Sequence, residues 1–543
     1  MPSQKQLYLL SRYKHLNIFC RIILEHSQNP LPFSYIYRNK PNTMKKIHVL
    51  LVSLLMVVPV FAQKTEKDSL SVPEPKSFES THQITNGGKL IKYKAIASET
   101  FLKNESGESV ASLWSVAYVQ TGTVDVAKRP VTFVFNGGPG SASVWLHMGM
   151  FGPQLVKVDS DATVDDGAAP YTLINNTNGI LDLTDLVFID PVGTGYSKVI
   201  GKGKVEDFWG LTADANSVAQ FMRQWINDNN RWISPKYIIG ESFGTTRAAG
   251  VANALEGNGQ DMALNGLILI SQALDYAGST SVHNNITSYL TYLPSMAATA
   301  WYHKKAGQDK SLEAFVDECR DFTYNTYAPA LYKGSLLTDA EKNKIADQLG
   351  YFMGLDKAYI LKSNLRVLVP RFQKQLLSDE GLTVGRLDGR FMGDEVDKLS
   401  DGPHLGDPAS YQISSAYTAA LNHYFATTLH VKMDRPYLTG NDAIYDKWNW
   451  KPVAKEKGWE PSYVNVSQKL GETMRRNTGM KVMVASGYYD LICPFFDAEY
   501  TFSRNGIERD KIQMFYYEAG HMMYTHEPDL VKLAQDVRTF LSN

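Results

Sequence analysis

The stretch Tyr237-Ile238-Ile239-Gly240-Glu241-Ser242-Phe243-Gly244-Thr245-Thr246 restricts what the whole chain can become. A short β-prone run enters Gly-x-Ser-x-Gly, and an Ala-rich, helix-compatible run leaves it over residues 247–255. That layout predicts a strand turning sharply into a helix with the serine at the tip, the arrangement of a nucleophile elbow. Two glycines without Cβ atoms let the turn close and let neighbouring strands approach a strained serine. The helix that follows aims its N-terminal N–H groups and positive dipole end at the same point, which suits an oxyanion. Short glycine motifs also occur in ordinary turns, so the rest of the chain must decide.

A mostly parallel sheet is written around that elbow. Val131-Thr132-Phe133-Val134-Phe135 and Leu186-Val187-Phe188-Ile189-Asp190 are the runs expected of strands buried on both faces. Residues 264–270, 481–486 and 511–517 predict further strands, and 211–232 carries helical spacing (Val218, Phe221, Met222, Trp225, Ile226). Alternating segments between about 83 and 123 predict antiparallel strands. Strands alternating with helices give an α/β class, a mostly parallel central sheet flanked by helices. From roughly 275 to 479 the texture becomes aromatic and mostly helical. Thr338-Asp339-Ala340-Glu341 matches a capping box, and 411–428 and 464–475 are further helix candidates. This stretch is expected to be an insertion, or cap, over the sheet's carboxyl edge, where such folds place their sites. The core then comprises 80–274 and 480–543, with the insertion at 275–479.

A chain of 543 residues, 44% hydrophobic and 20% charged, suits one large α/β domain with an insertion, or two domains. Met44-Lys45-Lys46 followed by the apolar run 47–61 and Val60-Phe61-Ala62 resembles a secretory signal peptide over 44–62. Residues 1–43 then read as an over-extended start, and 63–79 as a flexible tail. The alternative, a membrane anchor, meets an apolar run short of the roughly 20 residues a span needs. Removing the eight basic residues and one acidic residue of 1–62 leaves 47 basic against 55 acidic, a net of −8. With no basic block, neither nucleic acid nor an anionic membrane surface is an expected partner of the exported protein, whether periplasmic or secreted. Cys319 and Cys493 remain, too few for a disulfide framework though enough for one bridge.

A serine hydroxyl is a poor nucleophile at neutral pH and needs a base oriented by a third group. In the α/β-hydrolase order of serine, acid, histidine, two later strand ends offer candidates, Asp490 and His521. Asp497 falls past the strand end and is expected on a following helix, and His526 in the tail beyond His521 is expected to be exposed. The nine histidines after the leader form no HExxH or Cys/His pairing, so neither a metal nor a cofactor is predicted. The oxyanion donors should be the N–H of Phe243 and one from the loop Asn136-Gly137-Gly138-Pro139-Gly140, for which Gly138 is the choice.

The segments 136–143, 240–244, Asp490 with Cys493, and Gly520-His521-Met522 together resemble the serine carboxypeptidases, exopeptidases with an α/β-hydrolase fold. Asp190-Pro191-Val192-Gly193-Thr194-Gly195-Tyr196-Ser197 resembles a further segment of that family, and the match runs in register from about residue 80 to the end. The resemblance implies Ser242 as nucleophile, Asp490 as orienting acid, His521 as base, and Gly138 and Phe243 as oxyanion donors. It implies a grip on the peptide's terminal carboxylate by Asn136, the Gly137 N–H and Glu241. Two facing carboxylates repel, so one must carry a proton to donate a hydrogen bond. The family backs that glutamate with a second one and tends to work best in acid. Here Met150 stands at the backing position, which weakens the case for an acid optimum and for carboxypeptidase specificity. A Glu241 without a carboxyl partner should hold its proton less well, so peptide binding is expected to weaken as pH rises. Ser141 replaces the family's half-cystine after the glycine loop, so the usual disulfides cannot form. Cys493 matches a free cysteine near the site and predicts sensitivity to thiol reagents, although alone it reads as a small buried hydrophobe.

The leading expectation is a serine carboxypeptidase acting on peptides with a free C-terminus. An esterase or acyltransferase on the same triad is the second, and a binding protein that keeps only the fold is the third. Neither the side-chain preference nor the oligomeric state is written in the sequence.

Overall fold

Runs of β-branched and aromatic residues that alternate in facing direction build the middle of a ten-stranded sheet. The computed structural model describes residues 72–257, 259, 261–451 and 462–542. The expected leader (1–43 and 44–62) and residues 63–71 of the expected tail lie outside the described residues. The strands are β1 (Ser77–Asn86), β2 (Lys89–Lys103), β3 (Ser109–Gln120), β4 (Val131–Phe135), β5 (Asp185–Asp190), β6 (Lys236–Glu241), β7 (Gly266–Ile270), β8 (Lys481–Gly487) and β9 (Ile512–Tyr517). They lie in the order β1-β2-β3-β5-β4-β6-β7-β8-β9, and a short strand, Lys198–Val199, also pairs with β3. Pairing is parallel from β5 through β9 and antiparallel among β1, β2, β3 and β5. β1 begins inside the stretch expected to be a flexible tail, because its alternating side chains pair in register along β2.

Both faces of the sheet are covered. Phe133, Phe135, Ile238, Leu267, Leu269, Val482 and Val484 pack on one side with α1 (Leu211–Asp228), α2 (Phe243–Leu255) and the later helix Ser467–Arg476. Val134, Ile239, Ile268, Met483 and Ala485 face the other side, against helices Ser414–Thr427 and Glu527–Ser542. Neighbouring residues of one strand thus serve opposite cores, which is why β4 reads as an unbroken apolar run.

Between β7 and β8 the chain is mostly helical, including α3 (Ile286–Tyr302), α4 (Leu312–Phe322) and α5 (Asp339–Met353). It has a core of its own around Phe315, Phe322, Phe352 and Phe372. The capping box is in place. Thr338 Oγ1 accepts the Glu341 N–H at 3.2 Å while Glu341 accepts the Thr338 N–H at 2.8 Å. The helix expected over 411–428 is present as α6 (Ser414–Thr427), preceded by a separate short helix, Pro408–Tyr411, with Asp407 as its N-cap. Cys319 and Cys493 are both free and buried, so the bridge left open by the sequence does not form. Among the described residues no helix is long and apolar enough to cross a membrane.

Candidate active site

The turn from β6 into α2 holds Ser242 at φ 60°, ψ −130°, a strained conformation for a residue with a side chain. The strain is fixed by crowding. A Cβ on Gly244 would stand 2.8 Å from the Phe135 carbonyl oxygen, so the helix start presses directly on the end of β4. Ser242 N–H donates to the Ile270 carbonyl at 3.0 Å, and Thr245 returns both its N–H and its hydroxyl to the Ser242 carbonyl. The expected elbow is therefore present, with the serine at the N-terminus of α2.

The loop after β4 lies against this turn. A Cβ on Gly137 would stand 2.5 Å from the Phe243 nitrogen and 2.7 Å from the Glu241 carbonyl oxygen, so only glycine allows the approach. Arg247, on the buried side of α2, fixes the loop from behind. Its guanidinium bonds both oxygens of Asp214 on α1, at 2.7 and 3.2 Å, and donates to the Asn136 carbonyl at 2.6 Å. It also lies over the rings of Phe135 and Phe243. Sequence reasoning missed this residue, whose only local mark is a cation in an otherwise apolar, Ala-rich helix.

Asp490, three residues past β8, is wholly buried. One of its oxygens accepts the N–H groups of Ile492 and Cys493 at 2.7 and 2.9 Å, and the other meets His521 Nδ1 at 2.8 Å. Burial works against a charged imidazole, but the Asp490 carboxylate and the neighbouring Cys493 outweigh it and hold the His521 pKa well above the usual histidine range. Cys493 is pushed up by burial, against the pull of His521. The ligand-type atoms of Asp490, Cys493 and His521 lie within 4.8 Å of one another.

These groups open on a cavity of about 790 Å³ lined by Asn136, Gly137, Gly138, Glu241, Ser242, Phe243, Cys493, His521 and Met522, among others. Every candidate residue from the sequence except Asp490 is on its wall, and Asp490 stands directly behind His521. No hydrogen bond joins Ser242 to His521 among the described residues. Catalytic hydrogen bonds of this kind tighten when substrate binds. The two rivals are elsewhere. Asp497 lies on the helix Phe495–Phe502, and His526, only half-exposed, pairs with Asp529.

Glu241, beside the serine, is buried and held at both oxygens. Asn136 Nδ2 donates to Oε1 at 3.0 Å and the Tyr524 hydroxyl donates to Oε2 at 2.7 Å. Asn136 is itself oriented by the Leu146 N–H, which donates to its Oδ1 at 3.0 Å. Burial pushes the Glu241 pKa up to about 7, against the lowering effects of His521, Tyr524 and Asn136. Tyr524 stays a neutral donor, its pKa raised well above the usual range, again by burial first. Met150, at the backing position, is buried in the core, while the adjacent Gly149 leaves room for tyrosines. A Cβ there would stand 2.6 Å from both the Tyr417 hydroxyl and the Tyr524 ring. Glu241 thus has a partner after all, a phenol where the resemblance implies a carboxyl. Tyr524 carried no signal in the sequence.

The family profile described as "Serine carboxypeptidase" matches residues 114–525. Among solved structures, the chain is similar to a prohormone-processing carboxypeptidase, Kex1(delta)p from Saccharomyces cerevisiae. Identity is 15% and the TM-score 0.53, over 83% of this chain and 91% of that one. It is also similar to a proline iminopeptidase from Mycobacterium smegmatis, at 14% identity and a TM-score of 0.31 over 85% and 98%. Comparison with curated protein sequences gives no match.

Proposed function

The chain belongs to the serine carboxypeptidase family, hydrolases of the α/β-hydrolase fold, and we propose that it releases C-terminal residues from peptides through an acyl-enzyme on Ser242. One observation carries this beyond the family assignment: Glu241, next to the candidate nucleophile, is held by Asn136 and Tyr524 with its pKa near neutrality. Below about pH 7 this carboxyl keeps its proton and donates it to an incoming terminal carboxylate. Asn136 and the Gly137 N–H complete the receptor. A peptide held there has its last amide bond over Ser242.

In the fraction of enzyme whose His521 ring is neutral, the Ser242 hydroxyl then attacks the scissile carbonyl while His521 takes its proton. Asp490 holds the ring in the required tautomer and stabilises the imidazolium that forms. The N–H groups of Gly138 and Phe243 receive the oxyanion, with the dipole of α2 behind them. His521 returns the proton to the leaving amine, and water deprotonated by the same ring releases the shortened peptide. We assign the mature enzyme to the periplasm or the exterior, on the signal-like stretch 44–62.

The test is a matched pair, a peptide with a free C-terminus and the same peptide as its amide. The expected result is a ratio of kcat/KM that strongly favours the free acid, with mass spectrometry showing residues lost one at a time from the C-terminus. Equal cleavage of acid, amide and a simple ester would instead support an esterase.

A further inference from the structure

Charge is scarce among the described residues that line the cavity. Of these, only Glu241, Arg386 and His521 carry a carboxyl, guanidinium or imidazole group, the other titratable ones being Cys493 and tyrosines. Glu241 and His521 belong to the machinery assigned above. Arg386 has no role there.

The main chain at Arg386 is fixed with unusual thoroughness for an insertion loop. Its N–H donates to Asp407 at 2.9 Å, and the Leu387 N–H donates to the other oxygen of Asp407 at 2.8 Å. Its carbonyl accepts the Leu491 N–H at 3.0 Å, one residue past Asp490. The Leu387 carbonyl accepts the His521 N–H at 2.6 Å, and Asp388 accepts the Gly520 N–H at 3.0 Å. Arg386 is therefore anchored to the two loops that carry Asp490 and His521. Its side chain is exposed, and among the described residues the guanidinium makes no hydrogen bond and no ion pair. Asp407, the carboxylate that feels its charge, is committed to the N–H groups of Arg386, Leu387 and Ala409. An unpaired guanidinium that springs from a firmly held main chain on the wall of a substrate cavity is a fork for a carboxylate that arrives with the substrate.

We propose that Arg386 selects peptides with an aspartate or glutamate side chain at one of the two residues flanking the scissile bond. This rests on the carboxypeptidase reading, in which Asn136, Gly137 and Glu241 hold the terminal carboxylate and leave Arg386 for a second anion. The other described walls are mostly aromatic, aliphatic or hydroxyl-bearing, as with Trp145, Tyr276, Ile413 and Ser410, and offer no second guanidinium or ammonium group.

The experiment compares blocked peptides carrying Glu, Gln or Lys at the last or the penultimate position, with an alanine peptide as reference. Three proteins are used: the parent chain, Arg386→Gln and Arg386→Glu. Ratios taken within each protein cancel any loss of folded enzyme. The parent should favour Glu over Gln about tenfold in kcat/KM at one of the positions, the size of a charge-assisted hydrogen bond. Arg386→Gln should bring that ratio to about one, and Arg386→Glu should turn the preference toward Lys. High salt should shrink the parent's ratio. An unchanged Glu:Gln ratio in Arg386→Gln, or an equal loss on every peptide, would overturn the inference while leaving the peptidase reading in place. A folded parent that trims none of the peptides, alanine included, would overturn both.

Discussion

Glu241 and Tyr524 make the pH behaviour of this site a question about two side chains. In the proposed mechanism Glu241 binds a terminal carboxylate as a neutral donor, so binding would be complete below its pKa of about 7 and fail above it, where two anions would face each other. The ratio of kcat/KM for a free-acid peptide over its amide should therefore be flat in acid and fall about tenfold per pH unit above about pH 7. Effects on His521 cancel in that ratio. The Tyr524 hydroxyl favours the charged form of Glu241, so Tyr524→Phe should move the falling limb to higher pH by on the order of one unit, through KM more than kcat. A limb that stays in place would mean the phenol does not tune the carboxyl. Cys493 gives a second residue-scale prediction. It lies on the cavity wall beside His521, so a mercurial should inactivate the parent but not Cys493→Ser, with turnover as the readout. Cys493 was legible in the sequence because it stands three residues from Asp490. Tyr524 was not, because its partner is 283 residues away and nothing local marks a phenol that will meet a carboxyl.

At the scale of elements, α1, α2 and the loop after β4 are locked by one buried ion pair. Arg247→Met leaves Asp214 charged, buried and alone, and should cost about 3–5 kcal/mol in urea unfolding. Adding Asp214→Leu should restore much of that stability. Turnover should stay low in the double variant, because the Asn136 carbonyl has lost its donor and the glycine loop is free to drift. Recovery of activity together with stability would show that Arg247 serves only the fold. The elements themselves were readable, since each is declared by its own residues: the elbow by glycines that a close approach demands, β4 by its two-faced apolar run, α5 by Thr338 and Glu341. The pairing of Asp214 with Arg247 links two helices across 33 residues, and single-segment patterns do not encode it. The helix expected over 411–428 begins at Ser414, after a separate turn that Asp407, outside that window, starts.

For the molecule as a whole, the sheet gathers at one edge what the chain scatters. Loops after β4, β6, β8 and β9 bring Asn136, Ser242, Asp490 and His521 around one cavity, and the helical stretch between β7 and β8 adds the segment that holds the Asp490 and His521 loops. Chain order made the candidate triad legible, whereas the inner arrangement of the insertion, built on helix packing without a repeat, was not. The central claim is that Ser242 is a nucleophile activated by His521. The most direct measurement is intact-protein and peptide mass spectrometry after reaction with an active-serine phosphonate, on the parent, Ser242→Ala and His521→Ala. The account predicts a single adduct on the peptide that contains Ser242, none in Ser242→Ala, and labelling slowed on the order of 10³-fold or more in His521→Ala. An adduct on another residue, or labelling of His521→Ala at the parent's rate, would contradict it.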